Sequence, residues 1–255
     1  MKNLRNQIVK VSAFLSAVVL CACAVTFSQV AYAQKISDDE YVTIVNDLRR
    51  SFGYMYSFDD LDSQIRQVTK ETGRPKLSVA QEALTLSRKY ETGNVGSDTD
   101  REQNSSKHND LDIAHNPGDV FVSEGNNTFG WNHGHAGIFV RRETIIEAVD
   151  RDHNAHEVSR KKSVACGRAH LQSVRTSQAN RDKAVRRARS YIGRGYNTDV
   201  IHTNRNDWGE LNCSQLVWAA YMYGAAIDLA PKDNFVFPYS IRDSYLTTTY
   251  RTINV

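Results

Sequence analysis

The chain has 255 residues, of which 40% are hydrophobic, with 32 Lys and Arg against 29 Asp and Glu. Four Pro and 14 Gly exclude a collagen-like or Pro/Gly-rich low-complexity chain. The positive excess comes from Lys2, Arg5 and Lys10 in the first 33 residues, which contain no acid, so the rest of the chain is balanced. A nucleic-acid-binding protein driven by bulk charge is therefore not expected.

Residues 1–33 have the pattern of a secretory signal peptide. A short basic start precedes the apolar run 11–27, and Ala31 and Ala33 are the small residues at positions −3 and −1 of a cleavage site. Two alternatives stay open, acylation of Cys23 in a lipobox-like sequence and an uncleaved membrane anchor. All three predict an exported protein that is secreted, periplasmic or associated with the cell envelope.

Residues 34–110 are predicted to form a helical appendage and a linker. An acidic, cap-like start at 37–40 precedes apolar residues at helical spacing, and the pattern repeats over 58–68 and 77–90. Residues 93–110 contain one aliphatic residue and many turn formers, which indicates a linker or long loop.

Residues 111–255 are predicted to form a separate domain of α+β class. Strands are predicted over 120–122, 136–140 and 144–149, and helices over 180–192 and 212–223. The first of these helices is expected to be amphipathic, with Val185, Ala188 and Ile192 on one face. The order of elements favours a small antiparallel sheet or half-barrel packed on the second helix.

The sequence around Cys213 indicates a nucleophile at the start of a helix. Asn212 suits the N-cap, and Gln215 at N3 completes a capping-box-like pair. Cys213 is then the first helical residue, where unpaired backbone N–H groups and the helix dipole favour a nucleophilic thiolate. The same N–H groups can hold a developing oxyanion. The alternative is a small cysteine buried in the core.

A thiol nucleophile needs a base, and His133 and His135 are the two candidates. Their spacing predicts both on one face of a strand, with His135 held on the apolar part and small residues beside it that leave room for a helix terminus. A structural imidazole is the alternative for either. Glu147, in an apolar run, is predicted as a diagonal neighbour that orients His135, with Asp150 in reserve. A surface-facing Glu147 on an edge strand is the plainer interpretation.

Several short motifs follow one another in a fixed order: PGDV (117–120), HAGI (135–138), IEA (146–148), GYN (195–197), NCSQLVW (212–218) and PYSI (238–241). Together they resemble the permuted NlpC-type, papain-like cysteine peptidases and amidases of the YiiX/YycO-like kind. The resemblance covers about residues 115–245. It implies Cys213 as nucleophile, His135 as base, Glu147 as the polar third member, and Tyr196 at the oxyanion site or substrate cleft.

Asn212 and His133 are further candidates for contacts with the substrate or oxyanion, and His133 could replace His135 as the base. The resemblance implies a permuted papain-like fold and acyl transfer without a cofactor. The expected function is an exported cysteine hydrolase that cleaves amide bonds, first of all in cell-wall peptidoglycan peptides. The alternatives are a lipid or other acyl amidase or acyltransferase, and a non-catalytic exported binding module.

Metal binding and a disulfide are weaker hypotheses. A metal could be bound by His133, His135, His153 and His156, although a solvated loop is the plainer interpretation of the last two. Cys166 has no cap-like start near it and is interpreted as structural or free. A disulfide between Cys166 and Cys213 is the less favoured alternative.

The stretch 141–205 is rich in Lys and Arg. Within its predicted helix the basic residues are Arg181, Lys183, Arg186, Arg187 and Arg189. A solvated helix face is the ordinary explanation of such a cluster. Contact with an anionic wall polymer or a membrane surface is the functional alternative.

Overall fold

The computed structural model describes residues 37–52, 55–91, 110–128, 131–202 and 205–255. The chain forms two compact units, residues 1–44 and 45–255. In the first unit the described residues, 37–44, are helical. The predicted signal peptide lies outside the described residues, as does the predicted linker apart from residue 110. The domain boundaries taken from the sequence stay predictions.

Three helices precede the sheet: α1 (residues 37–51), α2 (Phe58–Thr72) and α3 (Lys76–Glu91). A capping box between Ser57 and Asp60 starts α2, and Gly73, with a φ of 71°, ends it. The helical pattern predicted for this stretch is confirmed. No helix in the described ranges is both long and apolar enough to cross a membrane.

Six strands form one antiparallel sheet in the order β6-β5-β4-β1-β7-β8. They are β1 (Val120–Ser123), β4 (His135–Arg141), β5 (Thr144–Glu147), β6 (His156–Ser159), β7 (Arg168–Val174) and β8 (Thr247–Asn254). A short separate pair, β2 (Asn127–Thr128) and β3 (Trp131–Asn132), precedes β4. The sheet and helices make an α+β fold, as predicted, but β6, β7 and β8 were not predicted.

The hairpin of β4 and β5 has the register expected from the sequence, reached by a different turn. Ile138 pairs with Ile146, as predicted, but Arg141 also pairs with Thr144, so the turn has two residues rather than three. A register shift between Phe139 and Arg141 restores the alignment. Glu147 therefore lies diagonally across the hairpin from position 135.

Three helices lie between β7 and β8 in the chain: α4 (Gln178–Arg189), α5 (Cys213–Ala225) and α6 (Pro238–Arg242). Residues 213–221 of α5 are buried all round, because α5 packs between β4 and α4. A Cβ on Gly224 would lie 2.9 Å from the Lys183 carbonyl oxygen, so glycine permits this close approach. The prediction that α4 continues to Ile192 is wrong: the helix ends at Arg189, and Ile192 is 44% exposed while Val185 and Ala188 are buried.

Candidate active site

Cys213 is the first residue of α5, and a capping box fixes the helix start. The Asn212 side chain accepts a hydrogen bond from the Gln215 backbone N–H (2.8 Å), and the Asn212 N–H donates to Gln215 Oε1 (3.3 Å). The predicted cap is thus confirmed. The Cys213 side chain is free of a disulfide, 4% exposed, and placed where the helix dipole favours negative charge.

The buried side chain of Gln215 also ties a neighbouring segment to this helix start. Its Oε1 accepts from Asn197 Nδ2 (2.8 Å), and its Nε2 donates to the Asn206 carbonyl oxygen (3.1 Å). Because Asn197 directly follows Tyr196, the amide network holds the Tyr196 segment against the first turn of α5.

His135, at the start of β4, links Cys213 to Glu147. Its Nε2 lies 2.9 Å from Glu147 Oε2, and the Cys213 thiol is close enough to help raise the pKa of the imidazole. Since Nε2 is taken by Glu147, Nδ1 is the ring nitrogen left for the sulfur. The Phe121 ring packs beside the imidazole, with centroids 5.8 Å apart. The three predicted residues thus lie in one series, with His135 between Cys213 and Glu147.

Glu147 is completely buried, and two further donors satisfy its carboxylate. Ser163 Oγ donates to Oε2 (2.8 Å), and the Val164 backbone N–H donates to Oε1 (3.4 Å). A buried carboxylate needs such partners. Ser163 and Val164 could not be predicted from the sequence, because no local motif marks donors that reach a strand 16 and 17 residues away. The surface-facing interpretation of Glu147 is wrong.

The charges of this series stabilise one another. Burial by itself lowers the pKa of His135, but its interactions with Cys213 and Glu147 raise it to about 10. Burial likewise raises the pKa of Glu147, but the hydrogen bonds from His135, Ser163 and Val164 hold it below its usual value. At neutral pH the pair is an imidazolium and a carboxylate.

His133 does not share the strand of His135. Gly134 between them has a φ of 67° and lies outside β4, so the predicted alternation of the two histidines on one strand is wrong. His133 Nδ1 is 2.6 Å from the Gly134 carbonyl oxygen. Burial and the neighbouring His135 lower the pKa of His133 to about 4, although the Gly134 bond opposes this. His133 is thus a neutral imidazole.

The small residues next to His135 serve a different purpose from the predicted one. A Cβ on Gly137 would lie 2.4 Å from the Phe121 ring, so the space is filled by an aromatic ring of the sheet. It is not left open for the start of a helix. The same ring packs against His135, so Gly137 makes room for the Phe121 ring that supports the imidazole.

Tyr196 lies beside the thiol. Its side chain is half-buried, and burial together with the nearby Cys213 raises the pKa of the phenol well above its usual range. The hydroxyl therefore stays protonated and can donate a hydrogen bond next to the sulfur.

Cys213 lines a cleft of about 410 Å³, within the usual size range of small-molecule sites. Its apolar lining consists of Met55, Tyr56, Val149, Val200, Val236, Phe237 and Pro238. Its polar lining consists of His133, Asp150, Arg151, Asp152, Tyr196, Thr198, Asn212, Cys213 and Ser214. His135 is not part of this lining. The cleft thus offers the sulfur to a ligand while the imidazole stays enclosed.

The other candidates lie apart from this series. Asp150, the reserve partner, pairs with His153 at 2.8 Å, and His156 Nδ1 is 2.9 Å from the Asn154 carbonyl oxygen. Within the described ranges no three His, Cys, Asp or Glu side chains are grouped to hold a metal ion. Cys166 is exposed and unbonded, so it forms no disulfide with Cys213.

Comparison with known proteins gives one partial similarity. No protein-family model and no solved structure matches the chain. The chain is 33% identical over 132 residues to the uncharacterized protein YycO of Bacillus subtilis (strain 168). The match covers 48% of this chain and 51% of YycO, so the chain spans about half the length of that relative. Because YycO is itself uncharacterized, the similarity adds no activity.

Proposed function

We propose that the protein is a cysteine hydrolase with a permuted papain-like fold that cleaves amide bonds. One observation carries the proposal: Cys213 lines a cleft and lies beside the buried His135, which hydrogen-bonds to Glu147. Nucleophile, base and orienting group in one series are the arrangement that thiol acyl transfer requires.

In the proposed reaction the Cys213 thiolate attacks the carbonyl carbon and forms a C–S bond. The tetrahedral oxyanion is held by backbone N–H groups at the start of α5 and by the Tyr196 hydroxyl. The His135 imidazolium gives its proton to the leaving nitrogen, the C–N bond breaks, and an amine departs. Water then loses a proton to His135 and attacks the thioester, which releases a carboxylic acid and restores the thiol pair.

Glu147 acts through His135 in this mechanism. Its carboxylate accepts the Nε2 proton and so keeps Nδ1 turned toward the sulfur. Its negative charge, held in place by Ser163 and Val164, stabilises the imidazolium that exists before proton transfer.

Peptidoglycan peptides are the first proposed substrate, since the predicted signal peptide would export the enzyme to the cell envelope. Asp150, Arg151 and Asp152 at the cleft supply charges that can bind a polar peptide. A lipid or other acyl amide is the second candidate, favoured by the apolar lining of the same cleft. If the protein cleaves neither class of substrate, the remaining alternative is a non-catalytic exported binding module.

The test is incubation with purified wall peptides and, separately, with N-acyl amino acid amides, followed by mass spectrometry. We expect cleavage by the wild type and by Cys166→Ala, the matched control, and none by Cys213→Ala. Cleavage of the acyl amides alone would favour the second substrate class. Cleavage by Cys213→Ala equal to that by the wild type would contradict the thiol mechanism. Loss of wild-type cleavage on adding a chelator would contradict it as well.

A further inference from the structure

Two residues from outside the sheet line the same cleft as Cys213. Met55 and Tyr56 lie between α1 and α2 and belong to the cleft lining. Tyr56 is only 6% exposed, and its hydroxyl donates to the Thr198 carbonyl oxygen at 2.8 Å. Thr198 is itself a lining residue, and the Phe52 ring packs edge-on against Tyr56 with centroids 5.7 Å apart. Tyr56 is thus fixed in place at the cleft.

The helix that follows binds the same side of the cleft. Gln64 of α2 accepts a hydrogen bond from the Ile201 backbone N–H (3.1 Å). Glu71, near the end of α2, lies 2.9 Å from His202 Nε2, while Asp199 is 3.0 Å from His202 Nδ1. One exposed ion pair contributes little, but these contacts act together with the Tyr56 bond on residues 198–202.

A second chain segment at the cleft is attached to α3. Glu82 accepts a hydrogen bond from Asn234 Nδ2 at 2.5 Å, two residues before Val236, which lines the cleft. The helices α2 and α3 therefore hold two chain segments whose residues line the cleft together with Met55 and Tyr56. Because Tyr56 is itself hydrogen-bonded and packed in place, it belongs to a fixed wall of the cleft rather than to a loose cover.

We propose that Met55 and Tyr56 are specificity-determining residues, which bind an apolar aliphatic or aromatic group of the substrate next to the scissile amide. The proposal rests on the cysteine-hydrolase function proposed above. Val200 and Phe237 continue the apolar surface, and an unbranched Met side chain adapts to groups of different shape. Transfer of an apolar group from water to this wall supplies the selectivity.

The experiment compares two alkylating probes of Cys213, iodoacetamide and N-benzyl iodoacetamide, which differ in one apolar group. In the full chain, Met55→Ala and Tyr56→Ala should each lower the rate ratio of the benzyl probe to the small probe roughly 5- to 30-fold. Tyr56→Phe keeps the ring and should keep the ratio. Tyr245→Ala, at an exposed tyrosine outside the cleft lining, is the control and should also keep it.

An unchanged ratio in both Met55→Ala and Tyr56→Ala would overturn the proposal. So would faster labelling by both probes, because that result is expected of an inhibitory cover. Thermal unfolding of each variant identifies loss of the fold, and the half-buried Met55 is the safer of the two sites. The comparison of Cys213 with Cys166 by iodoacetamide alone tests the hydrolase proposal separately, since it does not depend on Met55 or Tyr56.

Discussion

At the scale of single residues, His135 and Glu147 make a buried charge pair whose stability must depend on pH. The pKa of His135 is raised from 6.5 to about 10, so its contribution to stability is complete below pH 6.5 and is lost as pH rises through 10. The pKa of Glu147 is lowered, so its contribution is present above its usual value of 4.5 and is lost as pH falls through the lower folded value.

We therefore expect Glu147→Gln to lower the free energy of unfolding by about 3–5 kcal/mol between roughly pH 5 and 6.5, where both charges are present. The difference from the wild type should shrink toward pH 10. Denaturant titrations at a series of pH values measure it. A difference that stays constant from pH 5 to 10 would contradict the charge pair.

Ser163 is predicted to position Glu147 through its hydrogen bond to Oε2. Because that bond lowers the pKa of Glu147, Ser163→Ala should raise it. On acidification, the activity of Ser163→Ala should therefore begin to fall at a higher pH than that of the wild type. Near neutral pH the variant should lose about tenfold in rate, which is a smaller loss than at acid pH. The pH–rate profile decides the matter, since a purely structural role would lower the rate equally at every pH.

At the scale of elements, the capping box of α5 is expected to matter for chemistry as well as for stability. Asn212→Ala and Ser177→Ala, which remove the caps of α5 and α4, should each lower the free energy of unfolding by about 1 kcal/mol. Only Asn212→Ala should also slow alkylation of Cys213, because it loosens the turn that carries the sulfur. Equal alkylation rates in the two variants would show that the cap has no part in the site.

Gly134, just before β4, is expected to control the placement of His135. Gly134 and Gly209 have nearly the same φ, 67° and 69°, but a Cβ on Gly134 would lie 2.8 Å from the Ser123 carbonyl oxygen, whereas Gly209 has open space. Both alanine variants carry backbone strain, but only Gly134→Ala adds a steric clash. It should show the lower melting temperature and the slower Cys213 alkylation. Identical behaviour of the two would exclude a steric role for Gly134.

Local patterns predicted the elements that carry the site, but missed β7 and the two edge strands, β6 and β8. The β4–β5 register followed from apolar alternation, and the α5 start from Asn212 and Gln215. In contrast, β8 reads TTTYRTIN and lies at an edge of the sheet with a mostly exposed face, so it has no apolar alternation to reveal it. The left-handed backbone conformation of Gly134 also could not be predicted from the alternating positions of His133 and His135.

At the scale of the whole molecule, the meeting of Cys213 with His135 depends on the packing of α5 against β4. Sequence motifs indicated both residues, because each stands in a recognisable local context. The donors Ser163 and Val164, and the wall residues Met55 and Tyr56, could not be predicted. Their contacts join parts of the chain far apart in sequence, and nothing in their own neighbourhoods marks them.

The basic residues of α4 allow a prediction about surface attachment. Lys183, Arg186 and Arg187 border a shallow groove, in which Arg187 pairs with Asp207 and the other two are exposed. If this face contacts an anionic membrane, Lys183→Glu with Arg186→Glu should reduce co-sedimentation with phosphatidylglycerol vesicles severalfold. Lys161→Glu with Lys162→Glu, an exposed pair on another element, is the control. Equal losses in both variants would contradict a site on α4.

The most direct test of the account is the rate of iodoacetamide labelling at Cys213 and Cys166 near pH 6, read by peptide mass spectrometry. An ordinary thiol is almost fully protonated at this pH, and exposure alone favours Cys166. The account predicts that Cys213 reacts at least about tenfold faster than Cys166, and that His135→Gln abolishes the difference. Faster labelling of Cys166 in the wild type, or an unchanged Cys213 rate in His135→Gln, would contradict it.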